Sequence, residues 1–284
     1  MIRRRDFVKT LSAAALGSAL PSRIPSAGPR AASRLKRVGL ELYSVREAMH
    51  KDPDGTLAAV RAMGYTDVEL LWSFGNFGRT TEQVRAALDR EGLRAPSAHI
   101  SPIILFVGWE RSLETAHRLG HEYLIVPSFT DDTARTLDDW REWADRFNVA
   151  GAVARRAGIW LAFHNEPDHM PLLDGKVPYD VFVERTDPKV VRLQLDVGNM
   201  VMGGGDPFAY LQRYRDRYWS FHLKDVVPDR SHDSVLGTGT VDFKRLLAAV
   251  PEIDRKFCYV EQEGQDDPLG NARKDYEFLN KLEF

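Results

Sequence analysis

Eight times between Arg37 and Leu282 an apolar, strand-like stretch is followed by one with helical spacing. The strand-like stretches are Arg37–Val45, Tyr65–Trp72, Arg94–Ile100, Glu122–Ser128, Ile159–Glu166, Val191–Val197, Trp219–Val226 and Phe257–Glu263. The helices are expected over Asp54–Met63, Thr80–Arg90, Trp109–Leu119, Thr136–Ala157, Tyr179–Arg185, Pro207–Arg217, Phe243–Val250 and Leu269–Leu282. Thr80 with Gln83, and Thr136 with Asp139, read as capped starts; Gly64, Gly92, Gly120 and Gly158 read as stops. Strands that alternate with helices pair in parallel, and eight such units in about 250 residues is the arithmetic of a closed (β/α)8 TIM barrel. The competing architecture is an open, doubly wound sheet. It calls for a glycine-rich loop after the first strand, where Tyr43-Ser44-Val45-Arg46 stands instead.

In such a barrel the chemistry lies at the C-terminal strand ends. Trp219–Val226 reads WSFHLKDV. Alternation puts Trp219, Phe221 and Leu223 on one side and Ser220, His222 and Lys224 on the other. An imidazole and an ammonium on one face of an apolar strand are costly to bury without partners. Partners stand at the ends of three other strands: His164 and Glu166, Asp196, and Glu261 with Glu263. The reading is one divalent metal held by Asp196, His222, Glu261 and a fourth ligand from strand five, either His164 or Glu166. Manganese suits that oxygen-rich set; zinc, cobalt and magnesium are the alternatives. Glu166, Glu261, Lys224 and His99 are the candidates for proton transfer. Tyr43, Arg46, Glu69 and Asn199 are the candidates for substrate contact. Glu41 and Glu69 are expected to point inward, with pairing to Arg46 or Lys224 as their simplest structural role. The backbone amides of Gly237–Phe243 could hold a phosphate or a sugar hydroxyl. Cys258, the only cysteine, is expected to be a buried structural thiol.

The N-terminus differs from the rest. Arg3, Arg4, Arg5 and Lys9 precede an Ala- and Leu-rich run, Thr10–Leu20, and a zone of small residues and prolines. This reads as a twin-arginine export signal over residues 1–32, with a periplasmic mature domain over 33–284. Residues 1–32 hold six basic residues and one acidic one, so the remainder has 33 Lys and Arg against 40 Asp and Glu, net −7. That balance argues against a nucleic-acid partner. No run reaches the ~20 apolar residues of a membrane span, so no stable membrane insertion is expected after export. An oligomer is compatible with this composition.

Several segments together resemble the xylose isomerase-like TIM barrels of the sugar phosphate isomerase/epimerase superfamily. They are GLELYSVR (39–46), GYTDVEL (64–70), PSAHI (96–100), LAFHNE (161–166), LDVGNMVMGGGDP (195–207), FHLKD (221–225), LGTGTVDF (236–243) and YVEQEGQDDPL (259–269). The pattern is similar to exported sugar isomerase/epimerase-like and inosose dehydratase-like proteins. The resemblance implies metal ligands from strands five to eight, carried over as His164 or Glu166, Asp196, His222 and Glu261. Many relatives have glutamate where His164 stands, and often a histidine where Asn199 stands. The implied chemistry is proton abstraction beside the carbonyl of a sugar or polyol ketone, with a metal-stabilised enediolate. Isomerisation or epimerisation is the leading outcome and loss of a β-substituent the alternative. A non-catalytic carbohydrate-binding barrel is the rival from another class. A nuclease like endonuclease IV would need more zinc ligands and a basic surface.

Overall fold

The computed structural model describes residues 33–129, 133–264 and 266–284. The segment read as an export signal, residues 1–32, lies outside the described residues. Eight parallel strands close into a barrel: β1 Gly39–Glu41, β2 Asp67–Leu71, β3 Arg94–His99, β4 Tyr123–Val126, β5 Trp160–His164, β6 Val191–Asp196, β7 Tyr218–Leu223 and β8 Phe257–Val260. Each strand pairs with its neighbours in sequence, and β1 closes the ring on β8 with Gly39 opposite Tyr259. The return helices are α1 Pro53–Met63, α2 Thr81–Glu91, α3 Trp109–Leu119, α4 Leu137–Arg156, α5 Pro178–Arg185, α6 Pro207–Arg213, α7 Phe243–Ala249 and α8 Pro268–Lys281. This is the expected (β/α)8 barrel. Both expected capping boxes form, at Thr80 with Gln83 and at Thr136 with Asp139.

Alternation divides the strand residues between an outer and an inner face. Leu40, Val68, Leu124, Phe163, Leu195, Phe221, Leu223 and Val260 pack outward beneath the helices. Tyr123, Ile125, Ala162, Phe257 and Tyr259 form a separate cluster inside the barrel. Gly39 makes that inner cluster possible: a Cβ there would stand 2.3 Å from Tyr259 Cδ1. Cys258 is buried and unpaired, as expected, and burial pushes its thiol up to about 12.

The structure departs from the expected elements in three places that bear on function. First, β1 is short, and a 3-10 turn over Leu42–Val45 takes Tyr43 out of the strand. Second, the β6–β7 register shifts between Leu193 and Gln194. Trp219 therefore does not share the outer face of Phe221 and Leu223; it packs on the inner cluster. Third, β7 ends at Leu223, and Lys224 fills the step before a short two-stranded ribbon, Asp225–Val226 with Asp233–Ser234.

Candidate metal centre and active site

The carboxyl ends of the strands converge on one buried polar cluster. His164, Asp196, His222 and Glu261 each place one ligand atom within 4.8 Å of all the others. His222 Nδ1 lies 2.8 Å from Glu261 Oε2 and 3.8 Å from Asp196 Oδ2, and His164 Nε2 lies 3.6 Å from that same Oδ2. Asp196 uses Oδ1 to cap the short helix Val197–Met202 through the Asn199 N–H (2.7 Å). Its Oδ2 is fully buried, with the Lys224 ammonium 3.3 Å away. Neighbouring ligands of an ion bound at about 2.0–2.3 Å sit about 3–3.6 Å apart, close to the separations here.

On strand five it is His164 that joins this cluster. The β5 strand ends on His164, and Glu166 falls in the turn beyond it. Glu166 Oε2 accepts from Asn199 Nδ2 (2.9 Å), and Asn199 Oδ1 accepts from Lys224 Nζ (3.0 Å). Lys224 Nζ reaches Glu263 Oε1 at 2.7 Å, Glu261 Oε2 at 3.1 Å and Asp196 Oδ2 at 3.3 Å. Gly198 leaves room for the lysine stem: a Cβ there would stand 2.5 Å from Lys224 Cγ.

These contacts set the charges. Burial opposes the Lys224 ammonium, but Asp196, Glu261 and Glu263 hold it well above its ordinary range. Against the cost of burial, Lys224 and His222 hold Glu261 well below the carboxylate range. Burial pushes Glu166 well above that range. Burial also lifts Asp196 to about 8 although Lys224 pulls the other way. His222 resists the same penalty and rises to about 10 between Glu261 and Glu69.

Glu69 lies across the barrel from Glu261. It accepts from Ser97 Oγ (2.5 Å) and Gln194 Nε2 (2.9 and 3.1 Å), with His222 Nε2 2.5 Å away. Glu41 sits beside it, fully buried; burial and the charge of Glu69 hold its carboxyl well above the usual range, and the two side chains hydrogen-bond as a carboxyl–carboxylate pair. The expected pairing of Glu41 or Glu69 with Arg46 does not form. Arg46 instead donates to the Tyr43 carbonyl (2.9 Å) and lies 4.1 Å over the Tyr43 ring, where both residues are half-buried at the mouth. His99 Nε2 meets Gln194 Oε1 at 2.8 Å, and its ring stacks on that of His222.

Gln194 is the site residue that the sequence reading passed over, although it shares a face with Asp196. Its amide joins Glu69, Ser220, His99 and His164. Asn165 was also missed. It accepts from Asp196 N and donates to Asp196 O, both at 2.9 Å, and so clamps β5 to β6 at the metal end. The amides of Gly237, Gly239 and Val241 do not face an open anion site. All three donate to the buried Asp225 carboxylate, which reserves them for folding the loop.

A family model described as xylose isomerase-like TIM barrel matches residues 57–282. The inosose dehydratase of Geobacillus kaustophilus is 25% identical over 280 residues, covering 82% of this chain and 88% of that protein. The crystal structure of a sugar phosphate isomerase/epimerase from Parabacteroides distasonis superposes with a TM-score of 0.75 at 25% identity, covering 88% of this chain and 96% of that one. A structure of the IOLI protein with a zinc atom superposes with a TM-score of 0.66, covering 86% and 97%; at 13% identity it shows the shared fold alone. By the span of the family match and the closed barrel that carries it, the chain belongs to the xylose isomerase-like TIM barrel family.

Proposed function

We propose that this protein is a divalent-metal-dependent lyase that removes water from a keto-sugar or keto-polyol, beginning with proton abstraction beside the carbonyl. The observation that carries the reading is the identity of the strand-five ligand. His164, not a carboxylate, completes the quartet, so its two carboxylates come from β6 and β8. A proton moved between two faces of one carbon calls for a matched pair of bases, and the site is asymmetric. Similarity to inosose dehydratases supports the same outcome.

A cation held by His164, Asp196, His222 and Glu261 supplies Lewis acidity toward a carbonyl and its neighbouring hydroxyl. The side chains do the rest. Glu261, kept ionised by Lys224 and His222, accepts the proton from carbon. Glu166, kept protonated by burial, gives a proton to the departing hydroxyl. Asn199 orients both Glu166 and Lys224, and the Lys224 ammonium faces the charge that develops on oxygen. Isomerisation or epimerisation is the second reading, supported by the likeness to the Parabacteroides protein. It needs Glu166 to return the proton to carbon.

The test is incubation of manganese-loaded protein with keto-inositols and keto-sugars in D₂O. Loss of one water from the product mass is the expected result. Deuterium gained without loss of water would replace the lyase by an isomerase. A bound ketone with neither change would leave a carbohydrate-binding barrel. Export by the twin-arginine route is part of the proposal and rests on Arg4-Arg5 and the residues after them. Replacing both arginines by lysine is expected to retain the protein in the cytoplasm on fractionation.

A further inference from the structure

Folding leaves few large apolar side chains in water. Among the described residues five stand exposed, and four of them lie on one side of the barrel: Ile103, Phe106 and Val107 in the loop after β3, and Val149 on α4. The loop and the helix form one surface. Phe106 meets the Trp143 ring edge-on at 5.5 Å, and the Arg146 guanidinium lies 4.6 Å over Phe106. Val149 stands one turn beyond Arg146 on the same face of the helix, and half-buried Val153 follows one turn later. A groove of about 330 Å³ runs between loop and helix, lined by Ile103, Phe106, Glu142, Trp143 and Arg146 among others. Single exposed apolar residues are ordinary, but a contiguous set rimmed by charge marks a contact surface.

The charges say which contact. Several polar residues of α4 are committed within the chain. Arg141 pairs with Asp138, Asp145 pairs with Arg185, and Asn148 holds the backbone of Arg185 and Asp187. Glu142 and Arg156 are exposed and have no ion-pair partner among the described residues. They stand seven residues before and seven after Val149, so each lies about two turns, or about 10 Å, along the same stripe.

That spacing is self-complementary. When two copies of α4 pack antiparallel about a two-fold axis at Val149, residues equally far before and after that valine come face to face. Glu142 of one copy then meets Arg156 of the other, and symmetry makes the pair twice. The same rotation carries Val153 of the second copy over the groove beside Arg146, where it covers the apolar loop. The 20 residues of α4 give the contact a length of about 30 Å, with one β3 loop flanking each half, which suits an interface of about 800 Å² per partner. An unlike partner gives no reason for opposite charges to stand at equal distances from one valine.

We propose that this protein is a homodimer, joined by α4 packed antiparallel on α4 of a second copy with Val149 on the two-fold axis. The inference does not rest on the reaction at the barrel mouth. The loop it covers follows directly on His99, so the contact also steadies the β3 edge of that mouth.

The test is sedimentation velocity of the purified protein at micromolar concentration. The natural protein is expected to run at twice the mass of one chain. Val149→Asp sets two carboxylates on the axis and is expected to give a monomer with unchanged circular dichroism. Glu142→Arg and Arg156→Glu, each alone, bring like charges together and are expected to raise the dissociation constant about tenfold or more. The double exchange, Glu142→Arg with Arg156→Glu, restores both pairs and is expected to recover most of the affinity. A monomeric natural protein would overturn the proposal. A dimer indifferent to Val149→Asp, or to both single charge reversals, would place the interface on another face and overturn it too, as would single reversals that the double exchange fails to rescue. The natural protein and the exposed charge variants decide the point even if Val149→Asp fails to fold.

Discussion

Below the polar cluster the barrel interior is filled by Tyr123, Ile125, Ala162, Phe257 and Tyr259, packed against Trp160 and Trp219. At the carboxyl ends of the strands it is filled by Glu41, Glu69, His99, His164, Asp196, His222 and Glu261, with Lys224 just beyond. Both tiers are enclosed, but they are held together differently. The polar atoms of the lower tier are partnered, with the Tyr259 hydroxyl bonded to Ser97 Oγ at 2.8 Å. Its cation, Arg192, lies 3.6 Å over Trp160 and 3.7 Å over Trp219 and donates to the Tyr123 hydroxyl. The upper tier crowds carboxyl groups together: Asp196 Oδ2 has the Lys224 ammonium 3.3 Å away, and burial holds the Glu41 carboxyl well above its usual range beside Glu69. One tier is finished by folding; the other retains binding capacity that folding alone does not use.

The sharpest way to break this contrast is to remove a group from the upper tier. Asp196→Ala and His222→Ala are each expected to lose bound metal and to lower the proton-exchange rate by about 10³-fold or more while keeping the fold. Metal analysis and circular dichroism check this, and full occupancy in both variants would sink the ligand assignment. Gln194→Leu leaves every ligand in place but removes the amide that orients both histidines. A 10- to 100-fold weaker metal affinity, roughly the usual cost of losing an outer hydrogen bond, is expected by titration.

The lower tier should answer with stability instead. Gly39→Ala drives a methyl into the Tyr259 ring and is expected to cost about 1–3 kcal/mol by denaturant unfolding, with metal content unchanged. A fall in metal content of the folded variant would show that the tiers are coupled. The smallest effect concerns Lys256, 5.5 Å over Trp219, whose ammonium burial lowers from 10.5 to about 8. Between those values the unfolded chain binds more protons than the folded one, so this group makes stability rise with pH across that window. Lys256→Met is expected to remove a slope of less than about 1.4 kcal/mol per pH unit, read as the difference between the two unfolding curves.

Much of the upper tier was legible because alternation is a local rule. Once β6, β7 and β8 were placed, Asp196, His222 and Glu261 had to point the same way. The lower tier was harder to read. Trp219 was put on the wrong face because a register shift between β6 and β7 depends on both strands together. The loop at Gly237 looked open because nothing nearby in sequence shows that Asp225 takes its amides.

By itself, then, the sequence determined the eight strand–helix units, the polar residues at their carboxyl ends and the family they belong to. The units and the polar strand ends follow from spacing and caps within a few residues of each other, and the family from the resemblance of the quoted segments. Only the tertiary structure decided that His164 enters the quartet while Glu166 stays with Asn199, that Gln194 orients two histidines, and that Glu41 is buried against Glu69. The reason is closure of the barrel. Contacts such as Glu69 with His222, 153 residues apart, exist only once the first strand has met the last and every side chain at the mouth has its height set by the stagger of the ring.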